Sequence, residues 1–373
     1  PASTHGRSSR VSSSTVSKQY DGTTTATVTL GTLAGLVGSE QLQVSVAGGT
    51  GTGTFSSQDV GGSGTVSVTY QMADDLVSGG LVSNYNLTNP TESLTGTITQ
   101  RTLTMTGTTI QSREYDGTTM AGTVTVGTVG NVVAGEALVI TGAGSNFSSK
   151  NVGSEVLNVT YTLADGTGGK ASNYQLAGQT ASGSITTRTL SITGSSAASR
   201  TYDGTVTAGV TPGTLGNLAS GETLGTTTAA GTFADRHVGT GKSVTAVYTL
   251  ADGANPAHLA SNYNLGNQSL TANITAKDLT VVGTAVTAKA YDGTTAATLT
   301  GAGFQAGSAP GAGTTADGKP YTIDTITLGN ATSGTFARSL PGTLIPVVAA
   351  TMTLGGADAG NYQLVQPTGI KGE

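Results

Sequence analysis

Four aspartates in this chain could act as general acids or bind a cation, because each occupies the same place in a repeated three-residue motif. The motif occurs as Tyr20-Asp21-Gly22, Tyr115-Asp116-Gly117, Tyr202-Asp203-Gly204 and Tyr291-Asp292-Gly293. A catalytic acid rarely occurs four times in one chain. Asp-Gly is a frequent turn sequence, since glycine tolerates positive φ and aspartate bonds to nearby backbone amides. We therefore interpret these aspartates as turn-capping residues, each beside a packed tyrosine.

The remaining residue types are not arranged for catalysis. The three histidines are His5, His237 and His258, and none has a partner at the spacing of a metal site or a catalytic triad. Cysteine is absent. Calcium at the Asp-Gly loops of residues 165–166 and 252–253 is an alternative, although no Asp-x-Asp-x-Asp-Gly ladder is present. We predict a protein that is not an enzyme, with no catalytic residue, no metal and no cofactor.

The motif repeats at the scale of a domain. Its tyrosines at positions 20, 115, 202 and 291 are separated by 95, 87 and 89 residues. Solenoid and propeller repeats run roughly 20 to 50 residues, whereas about 90 residues suffice for an independent β-sandwich. The spacing therefore predicts four similar domains in a row.

Each motif has companions at nearly constant distances. A phenylalanine is followed six residues later by a glycine, and a second tyrosine then follows within Asn-Tyr-x-Leu. These residues are Phe55, Phe147, Phe233 and Phe336, and then Tyr85, Tyr174, Tyr263 and Tyr362. The first three units also carry Glu40, Glu136 or Glu222 before the phenylalanine, and the fourth unit lacks this glutamate. Because nearly all aromatic residues fall on repeat positions, we expect them to form the cores.

The composition favours strands and argues against several partners. Of 373 residues, 57 are glycine and only 10% are charged, and threonine and valine are abundant, which suits half-buried strands joined by tight turns. A net charge of −5 without a basic stripe argues against nucleic acid. No apolar stretch of about 18 residues occurs, so we expect no membrane insertion. Because the chain begins without Met or a signal segment, we expect a mature product or an excised fragment.

Alternation of apolar and hydroxyl residues predicts the strands. Thr102-Leu103-Thr104-Met105-Thr106 is one example, and Gly107 ends it. Closing strands run almost directly into the next opening strand, so we expect an all-β chain of four tandem β-sandwich (Ig-like) repeat domains in an elongated rod. The expected boundaries are a Ser-rich segment at 1–17, then repeat 1 at 18–100, repeat 2 at 101–187, repeat 3 at 188–276 and repeat 4 at 277–373.

The two ends depart from this pattern. The segment 1–17 lacks the alternating strand that opens the other repeats, and only nine residues follow Leu364, so the closing strand is shortened. An incomplete domain exposes backbone groups that another chain can pair with. The segment 1–17 is thus a candidate pairing strand.

An alternating strand, then Lys/Arg-x-Tyr-Asp-Gly-Thr, and about sixty residues later Asn-Tyr-x-Leu, resembles the YDG-type repeat domains of secreted bacterial adhesins of the filamentous-haemagglutinin, two-partner-secretion kind. The resemblance covers about residues 11–373. It implies an extracellular or cell-surface location and a structural role, and no catalytic residues come with it.

We expect a structural stalk or filament segment of an adhesin, surface fibre or biofilm-matrix protein. Its partners would be adjacent domains of a longer chain or other copies of itself, and a host or matrix surface contacted through regions outside this sequence. The alternative is a filament subunit that polymerises by strand exchange between incomplete terminal domains. A third hypothesis, of a different class, is a glycan- or protein-binding module at residues 301–321.

Overall fold

The computed structural model describes residues 7–15, 17–47, 52–61, 63–225 and 227–373. The described residues form β-strands joined by turns and four short 3-10 helices, with no α-helix among them. The all-β prediction is therefore confirmed, and none of these helices is long and apolar enough to span a membrane. Two compact units are present, Pro1–Arg113 with Thr118–Thr186, and Glu114–Gly117 with Thr187–Glu373.

The strands follow one another with short connections. Repeats 1 and 2 contain β1 (Arg7–Thr15), β2 (Lys18–Gln19), β3 (Thr25–Ala34), β4 (Leu42–Val46), β5 (Thr52–Phe55), β6 (Ser63–Asp74), β7 (Tyr85–Leu87), β8 (Thr91–Thr99), β9 (Arg101–Thr102), β10 (Thr104–Thr106), β11 (Thr109–Ile110), β12 (Arg113–Glu114), β13 (Val124–Thr125), β14 (Thr128–Gly130), β15 (Leu138–Gly144), β16 (Gly153–Asp165), β17 (Tyr174–Gln175) and β18 (Gln179–Thr186). Their 3-10 helices are Val82–Asn84 and Ala171–Asn173.

Repeats 3 and 4 contain β19 (Arg188–Thr193), β20 (Ser196–Ala197), β21 (Arg200–Thr201), β22 (Thr207–Ala208), β23 (Val210–Thr211), β24 (Thr214–Gly216), β25 (Thr228–Phe233), β26 (Gly239–Thr249), β27 (Tyr263–Leu265), β28 (Gln268–Thr275), β29 (Lys277–Val282), β30 (Ala285–Val286), β31 (Ala296–Thr300), β32 (Gly303–Phe304), β33 (Thr327–Gly329), β34 (Ser333–Phe336), β35 (Ile345–Ala349), β36 (Thr353–Gly355), β37 (Tyr362–Val365) and β38 (Lys371–Gly372). Their 3-10 helices are Ala260–Asn262 and Ala359–Asn361.

Each repeat opens with a strand that pairs in parallel with the strand following its 3-10 helix. The register places the basic residue of the opening strand opposite the second tyrosine of the same repeat. These pairs are Arg7 with Tyr85, Arg101 with Tyr174, Arg188 with Tyr263 and Lys277 with Tyr362. The four repeats therefore share one arrangement at this position.

The rest of each repeat is mainly antiparallel. In repeat 3, β26 pairs with β25 on one side and β28 on the other. Val244 and Ala246 alternate into the core from β26 and are fully buried, as period-two alternation predicts. In repeat 4, Val281 of the opening strand shares a core cluster with Leu299 and Phe336 of the antiparallel strands.

The N-terminal segment differs from expectation, because an opening strand is present. In β1, Val11 is buried and pairs with Leu33 of β3. Ser9 takes an inward position that the other repeats give to an apolar residue, and its hydroxyl donates to the Asn86 carbonyl oxygen at 3.4 Å. The alternation was hidden because a hydrogen-bonded serine replaces an apolar side chain. Residues 1–6, which include His5, lie outside the described residues.

The C-terminal repeat also has a closing strand. β38 pairs with β35, and the buried Ile370 accepts a hydrogen bond from the Val347 N–H at 2.9 Å. This strand has two residues, so the prediction of a shortened one agrees with the structure.

Candidate functional site: the tyrosine junctions

The Tyr-Asp-Gly motif forms a cross-braced loop, which we call the tyrosine loop (Lys/Arg-x-Tyr-Asp-Gly-Thr). In repeat 1, Asp21 Oδ1 accepts from the Thr23 backbone N–H and hydroxyl, both at 2.9 Å. Lys18 Nζ lies 2.7 Å from the same oxygen. Burial acts to raise the pKa of Asp21, but the bonds from Lys18 and Thr23 outweigh it, so this pKa is lowered. The aspartate is thus a turn cap held in its charged form.

The same loop occurs in later repeats. Asp203 Oδ1 accepts from the N–H and the hydroxyl of Thr205, both at 2.8 Å. Asp292 accepts from Thr294 in the same way and pairs with Lys289 at 2.8 Å. The bond from Lys289 and those from Thr294 lower the pKa of Asp292 to about 2.

The basic residue two positions before each first tyrosine also lies over the phenylalanine of its own repeat. The pairs, with the distance from charge to ring centre, are Lys18 over Phe55 (5.7 Å), Arg113 over Phe147 (5.8 Å), Arg200 over Phe233 (5.3 Å) and Lys289 over Phe336 (5.9 Å). A cation within about 6 Å of a ring centre is attracted to it. Each loop is therefore anchored to the core phenylalanine of its own repeat.

The tyrosine itself belongs to the core of the following repeat. Tyr20, 1% exposed, contacts Tyr174 of repeat 2 edge-to-face at 5.4 Å between ring centres. Both hydroxyls donate to one carboxylate, Tyr20 to Glu136 Oε1 at 2.6 Å and Tyr174 to Glu136 Oε2 at 2.7 Å. The Val133 N–H donates to the Tyr174 hydroxyl at 3.1 Å. Repeats 1 and 2 thus share two tyrosines and one carboxylate.

The second junction, within the second compact unit, has the same geometry. Tyr115 is fully buried, and its ring lies 5.4 Å from that of Tyr263. Their hydroxyls donate to the two oxygens of Glu222 at 2.6 and 2.7 Å. The Ala219 N–H donates to the Tyr263 hydroxyl at 3.2 Å.

The third junction uses an aspartate in place of the glutamate. Tyr202 is fully buried and donates to Asp324 at 2.8 Å, and the Tyr362 hydroxyl donates to the same carboxylate at 2.5 Å. The Asp324 side chain is fully buried and lies 3.3 Å from Arg236. Tyr321 packs against Tyr202 at 5.7 Å between ring centres and donates its N–H to the Tyr362 hydroxyl.

A basic residue of the opening strand holds the incoming backbone. Arg101 Nη1 lies 3.3 Å from the Tyr20 carbonyl oxygen, while its other nitrogens donate to the backbone and side-chain oxygens of Asn131 at 2.6 and 2.7 Å. Arg188 likewise lies 3.3 Å from the Tyr115 carbonyl oxygen. The following repeat therefore recognises both the hydroxyl and the main chain of the tyrosine.

A buried asparagine forms a second contact between repeats 1 and 2. Asn173 is fully buried; its Oδ1 accepts from the Val60 N–H at 2.8 Å and its Nδ2 donates to Asp59 at 2.9 Å. Lys170 also pairs with Asp59. The loop after the phenylalanine of one repeat thus binds the 3-10 helix of the next.

The same contact joins repeats 3 and 4. Asn361 Oδ1 accepts from the Val238 N–H at 3.1 Å, and Arg236 pairs with Asp358 at 2.9 Å. His237, which sequence reasoning assigned to the surface, is half exposed, and its Nδ1 lies 3.1 Å from Asn361 Nδ2. It is therefore a junction residue.

The motif glycine permits close approach between repeats. Gly22 has φ +75°, and a Cβ there would come within 2.9 Å of a Val133 methyl. Gly204 has φ +78°, and a Cβ would lie 3.1 Å from Pro310. Gly293 has φ +73° but meets nothing within 4 Å.

One aromatic residue departs from the expected core placement. Tyr291 is 65% exposed, whereas the other three first tyrosines are buried. Its loop is folded like the others, but no described residue packs over its ring as Tyr174, Tyr263 and Tyr362 do elsewhere. A motif tyrosine is buried by the following repeat and not by its own. The prediction that all four motif tyrosines lie in a core is therefore wrong for Tyr291.

The junctions place ionisable groups together and shift their pKa values. Burial, followed by the bond to Glu222, raises the pKa of Tyr263 to about 12. Burial and the bonds to Glu136 raise the pKa of Tyr20 and that of Tyr174. Near neutral pH these tyrosines therefore keep their protons, and each pair donates one hydrogen bond to each oxygen of its carboxylate. Among the described residues, no group of three or more metal-ligating side chains could hold an ion.

Sequence reasoning missed two parts of the site. Asp324 was not identified, yet it lies 12 residues before Phe336, where Glu136 and Glu222 precede their phenylalanines by 11. A search for either Glu or Asp 11 or 12 residues before the phenylalanine would have found Asp324. Residues 301–321, which were a candidate binding loop, supply Pro310 beside Gly204 and Tyr321 beside Tyr202, so they form part of the third junction.

The fold and the junctions define a protein of tandem β-sandwich repeats, in which each of the first three repeats supplies a tyrosine to the core of the next. The chain belongs to the YDG domain family, whose pattern matches it four times, at residues 8–93, 99–182, 186–272 and 275–369. This confirms the YDG-type repeats indicated by the sequence.

Other comparisons add little. No protein with a curated description matches the sequence. Among solved structures, the chain is similar to domains 4–9 of the surface layer protein SbsC, with 12% identity and a TM-score of 0.17. The match covers 97% of this chain and 65% of that structure.

Proposed function

We propose that this chain is a structural segment of an extracellular bacterial adhesin, surface fibre or biofilm-matrix protein, and that it acts mechanically as a stalk or filament segment. One observation carries the proposal. Tyr20, Tyr115 and Tyr202, each from the tyrosine loop of one repeat, are buried in the core of the following repeat.

Such a junction resists bending because it is held at several separate points. At the first junction, the Tyr20 hydroxyl binds Glu136, the Tyr20 carbonyl binds Arg101, and Lys18 ties the loop to its own repeat. Hinging would draw an aromatic ring into water and leave buried polar groups unpaired, which costs about 1–3 kcal/mol for each such group. Flexible linkers, in contrast, leave domain orientation free. This favours a semi-rigid rod.

The strand-exchange alternative has less support. β1 is already paired with β3 and with β7, and β38 is paired with β35. Exchange requires a strand that leaves these partners. A glycan- or protein-binding role has no specific observation in its favour, because residues 301–321 contribute to a junction.

Small-angle X-ray scattering extrapolated to zero concentration tests the rod. A compact globule of this length has a radius of gyration of about 21 Å. We expect a clearly larger value and a distance distribution with a long tail. A value near the compact one would overturn the proposal.

Antibody labelling of intact producing cells tests the location. We expect labelling before permeabilisation, or labelled material in the surrounding matrix. Signal that appears only after permeabilisation would contradict an extracellular role.

A further inference from the structure

Repeats 1 and 4 each expose one half of a junction in this structure. Tyr291, the donor tyrosine of repeat 4, is 65% exposed. In repeat 1, the Tyr85 hydroxyl donates to Glu40 Oε2 and accepts from the Val37 N–H at 3.0 Å, as at the other junctions. No described residue donates to the second oxygen of Glu40, the one that Tyr20, Tyr115 and Tyr202 occupy on its equivalents.

The surroundings of this acceptor are uncovered as well. Val37 is 37% exposed, whereas its equivalent Ala219 is 3% exposed. Asn84 is exposed, whereas the equivalent Asn173 is fully buried. Arg7, in the register position of Arg101, is also exposed. We call Arg7, Val37, Glu40, Leu81, Asn84 and Tyr85 the acceptor face.

We propose that the acceptor face of repeat 1 binds the tyrosine loop of repeat 4 from a second copy of this chain, so that copies join end to end by the same junction that joins the repeats. The proposal deepens the structural function above, and rests on it, by naming the partner. Tyr291 would enter beside Tyr85 and donate to Glu40.

A second pair of positions supports this occupant independently. At the first junction Asp59, four residues after the phenylalanine, faces Lys170, four residues before the second tyrosine. The corresponding residues of repeats 4 and 1 are Leu340, 64% exposed, and Leu81, 44% exposed. Both faces thus present an exposed leucine where the first junction has a charged residue, so a contact between them would bury apolar surface.

One difference weakens the contact. The residue after Leu340 is Pro341, where the other repeats have Val60, Val152 and Val238. Proline has no N–H, so the bond that Val60 donates to Asn173 has no counterpart on Asn84. The association between copies should therefore be weaker than the internal junctions, and Pro341→Val should strengthen it.

Sedimentation velocity from roughly 1 µM to 1 mM covers the range of weak association. We expect the unchanged chain to form concentration-dependent dimers and longer species. Tyr291→Ala and Leu340→Asp should each lower the association constant at least about 10-fold, since they remove the ring or bury an unpaired charge. Val156→Asp is the matched control for Leu340→Asp, because it places the same charge at a similarly exposed apolar residue of repeat 2. It should leave association unchanged.

A charge swap gives the sharpest test. Leu340→Asp and Leu81→Lys should each weaken association when studied alone. Mixing the two variants recreates the Asp59 and Lys170 pair across copies, and association should return. All these side chains are exposed, and circular dichroism checks that each variant folds.

Each outcome decides the proposal. A chain that stays monomeric up to the highest concentration overturns it. Polymers that still form when Tyr291, Leu340 or Leu81 is substituted also overturn the proposal and point to strand exchange. Scattering at zero concentration reports one copy alone, so failure of the rod and failure of this contact are separate results.

Discussion

The Tyr20 hydroxyl donates to Glu136 Oε1 at 2.6 Å across 116 residues of sequence. This bond links the tyrosine loop of repeat 1 to the core of repeat 2. Tyr174 donates to the other oxygen of the same carboxylate. A single acidic side chain therefore connects two repeats, and the chain offers matched positions at which each component can be tested.

Removing the carboxylate should weaken the first junction. Glu136→Ala leaves the Tyr20 hydroxyl without an acceptor in a buried site, and we expect a loss of about 1–3 kcal/mol for each unpaired group. Glu40→Ala is the matched control, because Tyr85 is the only described residue that donates to Glu40, which lies on the acceptor face. Hydrogen exchange of the peptide around Tyr20 measures the effect. Equal protection in Glu136→Ala and the unchanged chain would contradict this role.

Two motif glycines separate backbone strain from junction packing. Gly22→Ala and Gly293→Ala both place a Cβ at positive φ, which costs about 1–2 kcal/mol. Only at Gly22 would the new Cβ also meet Val133 at 2.9 Å. We therefore expect Gly22→Ala to lower the melting temperature in calorimetry by more than Gly293→Ala. If the two variants behaved alike, contact across the junction would not constrain this position.

The buried asparagine should matter only where a neighbouring loop covers it. Asn173→Ala leaves the Val60 N–H unpaired, and we expect a destabilisation of about 1–3 kcal/mol. Asn84→Ala changes the exposed equivalent and should stay within about 0.5 kcal/mol of the unchanged chain. Chemical denaturation monitored by circular dichroism compares them. A similar loss in both variants would show that the asparagine acts within its own repeat.

The second junction should weaken at high pH. Tyr263 has an ordinary pKa of about 10 when unfolded and a pKa of about 12 in the folded chain. Between these values the unfolded state binds fewer protons than the folded state, so stability falls as pH rises. We expect stability to be level below about pH 10 and to decrease from there to about pH 12.

Hydrogen exchange around Tyr263 across this pH range checks the prediction, with rates corrected for the pH dependence of exchange itself. Tyr263→Phe supplies the control, because phenylalanine has no ionisable proton at this position. The stability of this variant should fall less steeply with pH. If stability fell equally steeply with pH in both chains, deprotonation of Tyr263 would not be the cause of the weakening.

Sequence alone determined the all-β class, the four repeats and the capping role of the motif aspartates. These features depend on local rules, since alternation sets the buried face of a strand and Asp-Gly sets a turn. The opening strand at Arg7–Thr15 was missed because Ser9 fills an inward position through a hydrogen bond, which composition does not reveal.

Only the tertiary structure decided where each motif tyrosine is buried. The spacing assigns Tyr20 to the repeat in which it occurs, and the same pattern gives Tyr291 an equal place in repeat 4. Yet Tyr20 is buried by repeat 2 and Tyr291 is exposed. Burial of a side chain depends on which surface lies opposite it, and the residues that form this surface, such as Glu136 and Tyr174, are more than a hundred positions away.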